Sequence, residues 1–142
     1  LLAQYPDARI VVTHRDPVPV VGSLCSLNRS LSGTFTDADH TEYIARHWLD
    51  VAEQIVNRTA DARARHVDAS FLDVDYEELV AQPMTMIARI YAFDDTELTP
   101  DVDARLRAYL DDNAQGKFGR HTYSLDEFGL HADEVRERLA RA

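Results

Sequence analysis

Ala8-Arg9-Ile10-Val11-Val12-Thr13-His14 is a short apolar run rich in β-branched residues. It is entered from the turn signal Tyr5-Pro6-Asp7 and left through Arg15-Asp16-Pro17. β-Branched residues fit a pleated backbone, so this run predicts a buried strand. Asp16 precedes proline and is held extended, while Pro17 to Pro19 open a helix whose first turn needs no proline N–H, running from about Pro19 to Leu27. A strand that turns straight into a helix is the unit of an α/β fold.

Downstream, Asn28 to Ala38 is polar and reads as an irregular surface excursion. Thr36 and Asp39 have capping-box spacing, and Ile44, Trp48, Val51, Ala52 and Ile55 then fall on one helical face, with the helix ending near Thr59. An arginine-bearing connector, Asp61 to His66, leads to Phe71-Leu72-Asp73-Val74-Asp75-Tyr76, whose alternation predicts a second strand. Helices follow around Pro83, Met84, Ile87 and Tyr91, and after the cap Thr99-Pro100, with Val102, Leu106, Tyr109 and Leu110 inward. The loop Gly116-Lys117-Phe118-Gly119, a second capping box at Ser124 and Glu127, and a polar helix from Ala132 to Arg141 complete the chain. Two strands this far apart pair in parallel, because the connection is too long for a hairpin. Two strands alone leave apolar edge uncovered, so further strands are expected from upstream chain or from a partner, a second copy through the open sheet edge included.

The whole chain has 142 residues, which suits one domain. Its net charge of −10 disfavours general binding to nucleic acid, so any anion must be caught by a local cluster. A single cysteine, Cys25, excludes an internal disulfide framework and a multi-thiolate zinc site, and its place on the inner stripe of the first helix suits a small core residue. No apolar run approaches the ~20 residues that cross a bilayer. With no basic-then-apolar opening segment either, the expected setting is cytoplasmic. The chain opens on Leu1 with no polar lead-in, which points to upstream sequence.

The carboxyl end of a parallel strand is where α/β folds take ligands. Arg15 stands there with a planar fork suited to two phosphate oxygens, and Ser23 adds a hydroxyl from the following helix. His14 reads as a strand-end residue with a satisfied polar partner. His40 and His47 read as the polar face of their helix, and Tyr43, Trp48 and Tyr91 as packing residues.

Three segments in order carry a resemblance that covers nearly the whole chain. Tyr5 to Pro17 with Ser23 resembles the 3′-phosphate-binding segment of sulfotransferases that use 3′-phosphoadenosine 5′-phosphosulfate, above all the bacterial-type branch. Phe71 to Leu79 followed by Pro83 resembles the family's later strand and its Tyr-Glu-Asp/Glu-Leu segment. Gly116 to Leu130 resembles the C-terminal signature. The resemblance implies a partial P-loop-like α/β fold, with parallel strands flanked by helices and a helix-rich C-terminal half, residues 1–142 being the C-terminal part of a single sulfotransferase domain. It implies that Arg15 and Ser23 hold the 3′-phosphate, that Tyr76 approaches the adenine, and that Gly116, Lys117 and Gly119 belong to a loop over the phosphate. Where many relatives carry two basic residues before that loop, this chain has Ala114 and Gln115, leaving Lys117 or Arg120 to compensate.

It further implies 3′-phosphoadenosine 5′-phosphosulfate as co-substrate, a hydroxyl-bearing small-molecule acceptor and no metal. The 5′-phosphosulfate loop and the catalytic base are expected upstream of Leu1, so the chain alone is expected to be inactive. The competing reading is a catalytically inactive remnant acting as a self-associating or nucleotide-binding module.

Overall fold

In the computed structural model, residues 1–114, 117 and 124–140 are described. The elements are β1 (Arg9–His14), α1 (Pro17–Ser32), α2 (Thr41–Arg65), β2 (Ser70–Asp75), α3 (Tyr76–Ala81), α4 (Pro83–Phe93), α5 (Pro100–Asp112), a 3₁₀ helix (Leu125–Phe128) and α6 (Ala132–Arg138). The chain divides into two compact units, one of Leu1–Arg15 with Asp68–His121, the other of Asp16–Val67 with Thr122–Ala142.

In the first unit β1 and β2 pair in parallel, from Arg9 opposite Ser70 to His14 opposite Asp75. The expected architecture of parallel strands with flanking helices is therefore present. Val74 is fully buried, but no residue of β1 is, and Val11 is 39% exposed. The expected burial of β1 is thus only partial, because β2 is its one strand partner among the described residues. Asp75 caps α3 by accepting from the Glu78 N–H at 2.9 Å. Pro83 opens α4, which buries Met86. Thr99 accepts from the Val102 N–H and Pro100 takes the first position of α5, the start that the sequence signals. Tyr109 departs from the expected inner stripe and is exposed, with Val102, Leu106 and Leu110 half-buried.

The core of the second unit joins Val21 and Cys25 of α1, Ile44, Ala45 and Leu49 of α2, and Phe128, Leu130, Val135 and Leu139. Both of its long helices outrun their predicted ends. α1 starts at Pro17, where the Asp16 carboxylate accepts from the Val18 N–H at 3.1 Å. It persists to Ser32, taking in the first part of the expected loop. Asn28 does not break it, because its side-chain amide donates to the Leu24 carbonyl one turn back.

α2 absorbs the expected connector Asp61 to His66 as far as Arg65. Ala60, Ala62, Ala64, Arg63 and Arg65 are all strong helix formers. Its start is not the expected capping box: Thr36 accepts from the Ala38 N–H, and Asp39 accepts from the Thr41 N–H. Its buried face keeps Ile44, Trp48 and Ala52 of the expected stripe but is broader on one side and departs at the far end. Ala45 and Leu49 are buried and Val56 packs on the core, whereas Ile55 is exposed. α6 is not wholly polar, since Val135 is fully buried.

Candidate functional site

In the first unit the sheet register decides which side chains meet at its carboxyl end. His14 and Asp75 are partners, so the residues that follow them, Arg15 and Tyr76, leave the sheet side by side. The Asp75 cap fixes Tyr76 as the opening residue of α3. The Arg15 guanidinium carbon lies 4.3 Å from the centroid of the Tyr76 ring, a cation–π contact. Arg15 is exposed, and no carboxylate pairs with it among the described residues. This sets it apart from Arg9, Arg29, Arg107, Arg136 and Arg138, each held by an Asp or Glu. An aromatic face attracts the cation without consuming its N–H donors, so the fork stays available to an anion.

His14 is the last residue of β1, directly before Arg15. Its Nε2 is 2.6 Å from Asp73 Oδ1, in keeping with a strand-end histidine whose polar partner is satisfied.

In the second unit Ser23 is exposed on α1, between the buried Gly22 and the half-buried Leu24. The Asp16 cap of the same helix also accepts from Arg136 at 3.1 Å, which anchors the helix start to α6. Cys25 is fully buried, and desolvation pushes its thiol up to about 11, which suits core packing rather than nucleophilic chemistry. A groove of about 430 Å³ lies on this unit, lined by Leu31, Phe35, Tyr43, His47 and Trp48 among others. His47 stacks on Tyr43 at 5.6 Å and meets Trp48 edge-on, so its helix face is aromatic rather than simply polar. No group of three or more metal-ligating side chains occurs among the described residues.

Of the glycine-loop residues, Lys117 is described and donates from Nζ to the Asp112 carbonyl. Gly116 and Gly119 lie outside the described residues, as does Arg120. The structure thus brings Arg15 and Tyr76 together, and it corrects the expected second strand, which ends at Asp75 so that Tyr76 opens α3 instead of closing the strand.

Arg15 thus stands at the carboxyl end of one strand of a parallel pair. The sulfotransferase family model matches residues 1–101. The chain belongs to the sulfotransferase family. The crystal structure of the sulfotransferase STF9 from Mycobacterium avium matches with a TM-score of 0.85 and 34% identity, over 99% of this chain and 36% of that one. This chain therefore spans about a third of the length of that sulfotransferase. No curated protein sequence matches it. Among the described residues, no helix is long and apolar enough to cross a membrane.

Proposed function

We propose that this chain holds the 3′-phosphate and adenosine end of 3′-phosphoadenosine 5′-phosphosulfate in a sulfotransferase that acts on a hydroxyl-bearing small molecule. The observation that carries the reading is Arg15, exposed at the carboxyl end of a parallel strand and held by a ring instead of a carboxylate. A phosphate dianion matches a planar fork of N–H donors, and charge-assisted hydrogen bonds are about twice as strong as neutral ones. Ser23 is the second donor, Tyr76 the residue nearest the nucleoside, and Gly116, Lys117 and Gly119 the loop over the phosphate. These roles rest on the resemblance and on the chemistry of each side chain. The co-substrate, when bound, supplies the sulfuryl group; these residues bind and orient it, and they need no metal to do so. Residues 1–142 are then the C-terminal part of a single sulfotransferase domain.

Calorimetric titration with adenosine 3′,5′-bisphosphate tests this reading. Arg15→Ala removes a charged partner worth ~1.5–3 kcal/mol, so affinity should fall by roughly 10- to 150-fold. Ser23→Ala should weaken binding by about 2- to 10-fold. Absence of binding heat at millimolar ligand, or an Arg15→Ala variant that binds as tightly as the parent, overturns it.

A further inference from the structure

The family resemblance gives Tyr76 a role against the adenine, yet the geometry ties its ring to the Arg15 guanidinium, 4.3 Å from the ring centroid. We propose that Tyr76 is a positioning residue for Arg15: its ring holds the guanidinium at the carboxyl end of the sheet with the N–H fork open, ready for a phosphate dianion. The inference rests on the nucleotide-binding reading above. Three linked observations support it. The register that pairs His14 with Asp75 delivers Arg15 and Tyr76 to adjacent places. The Asp75 carboxylate, accepting from the Glu78 N–H at 2.9 Å, fixes the first turn of α3 and with it the root of the Tyr76 side chain. And among the described residues Arg15 has no carboxylate partner, although the chain pairs Arg9, Arg89, Arg107 and Arg138 in that way.

The choice of partner matters chemically. A carboxylate beside Arg15 would occupy the donors that an anion needs, and binding would first have to break that ion pair. A free guanidinium on a long side chain would instead have to be ordered when the ligand arrives, at a side-chain entropy cost of about 1.5–2 kcal/mol. A ring face avoids both. It attracts the cation through its quadrupole and leaves every N–H unclaimed. The arginine is thereby pre-organised, which improves affinity without adding a contact to the ligand.

The two roles of Tyr76 separate by ligand. An adenine contact would serve any adenosine nucleotide alike, whereas a device that positions Arg15 serves only a nucleotide with a 3′-phosphate. The experiment titrates adenosine 3′,5′-bisphosphate and adenosine 5′-monophosphate into the unsubstituted chain, Tyr76→Phe, Tyr76→Leu, Arg15→Ala and the Arg15→Ala/Tyr76→Leu pair, each checked for fold by circular dichroism. An exposed cation–π contact is worth roughly a two- to fivefold change in affinity, and Tyr76→Leu should weaken bisphosphate binding by that factor. The monophosphate, which loses only the nucleoside contact of the ring, should weaken by a smaller factor. Tyr76→Phe, which keeps the ring, should restore bisphosphate binding to within about twofold of the parent. In the Arg15→Ala background Tyr76→Leu should cost the bisphosphate no more than it costs the monophosphate in the parent.

Equal weakening of both nucleotides by Tyr76→Leu, or full additivity with Arg15→Ala, overturns the positioning role and leaves the nucleotide site standing. Failure of the unsubstituted chain to bind the bisphosphate overturns the site and the positioning role together. A Tyr76→Leu chain that loses the parent circular dichroism shifts the decision to Tyr76→Phe: loss of bisphosphate affinity there, with the ring retained, overturns the proposal.

Discussion

At the scale of single residues, Cys25 and Leu49 make opposite kinds of statement about the same core. Cys25 is fully buried with its thiol pushed up to about 11. Only thiolate reacts, so a disulfide-exchange reagent at neutral pH should label Cys25 no faster than the chain unfolds, and at once in denaturant. Prompt labelling of the native chain would show the core open there. Leu49 is 1% exposed among Val21, Cys25, Ala45 and Phe128. Leu49→Ala should destabilise the second unit by ~2–5 kcal/mol, read as a lowered urea midpoint, since the lost transfer energy and the cavity add. Ile55→Ala, at an exposed position, should change the midpoint by less than about 0.5 kcal/mol. That contrast also locates the buried face of α2, which keeps Ile44, Trp48 and Ala52 of the stripe that sequence periodicity picks out and leaves out Ile55. A spacing pattern cannot tell which residues beside its stripe the helix's partners will also cover, as they do Ala45, Leu49 and Val56.

Between elements, the strength of local signals decided what could be read in advance. β1 and the α5 start are written locally, in β-branched residues and in Thr99-Pro100, and both form at the expected places, though β1 is less buried than expected. Thr99→Ala should lower the stability of the first unit by about 0.5–2 kcal/mol, measurable as faster amide exchange across Pro100–Asp112. The far ends of α1 and α2 were not legible, because alanine, arginine and a back-bonded asparagine let a helix run on without announcing it. The strand-to-helix junction and the family resemblance single out Arg15 and Ser23, and the structure places both exposed. The Tyr76 ring under Arg15 was not legible, because it depends on a pairing register between strands that lie far apart in the chain.

The Arg29–Glu127 bridge ties α1 to the 3₁₀ helix at 2.7 Å, and the same guanidinium lies 4.6 Å over the Phe128 ring. The hydrogen bond from Arg29 holds the Glu127 carboxyl below its ordinary value. A carboxyl lowered by folding contributes stability above the usual carboxylate range and loses that contribution as pH falls through its own depressed value. Glu127→Gln should therefore unfold at lower urea than the parent at pH 7, and the gap should close in acid. A gap that persists in acid would mean that the bridge is not its source.

For the whole molecule, the net charge of −10 sets the conditions under which Arg15 would meet a nucleotide. The net field repels a dianion, and salt screens that repulsion over a Debye length of about 8 Å at physiological ionic strength. Association of adenosine 3′,5′-bisphosphate, followed by stopped flow, should therefore quicken as salt rises from low to physiological concentration. A rate that falls steadily with salt would mean that a local positive field dominates the approach.

The division of the chain has a consequence for its birth on the ribosome. β1 is made before its partner Ser70–Asp75, which follows only after all of α1 and α2. At ordinary synthesis speeds of 5–20 residues per second, β1 waits on the order of 3–11 seconds for β2. Through that interval Ile10, Val11 and Val12 form a sticky tape in the nascent chain, the stretch that trigger-type chaperones would be expected to cover first.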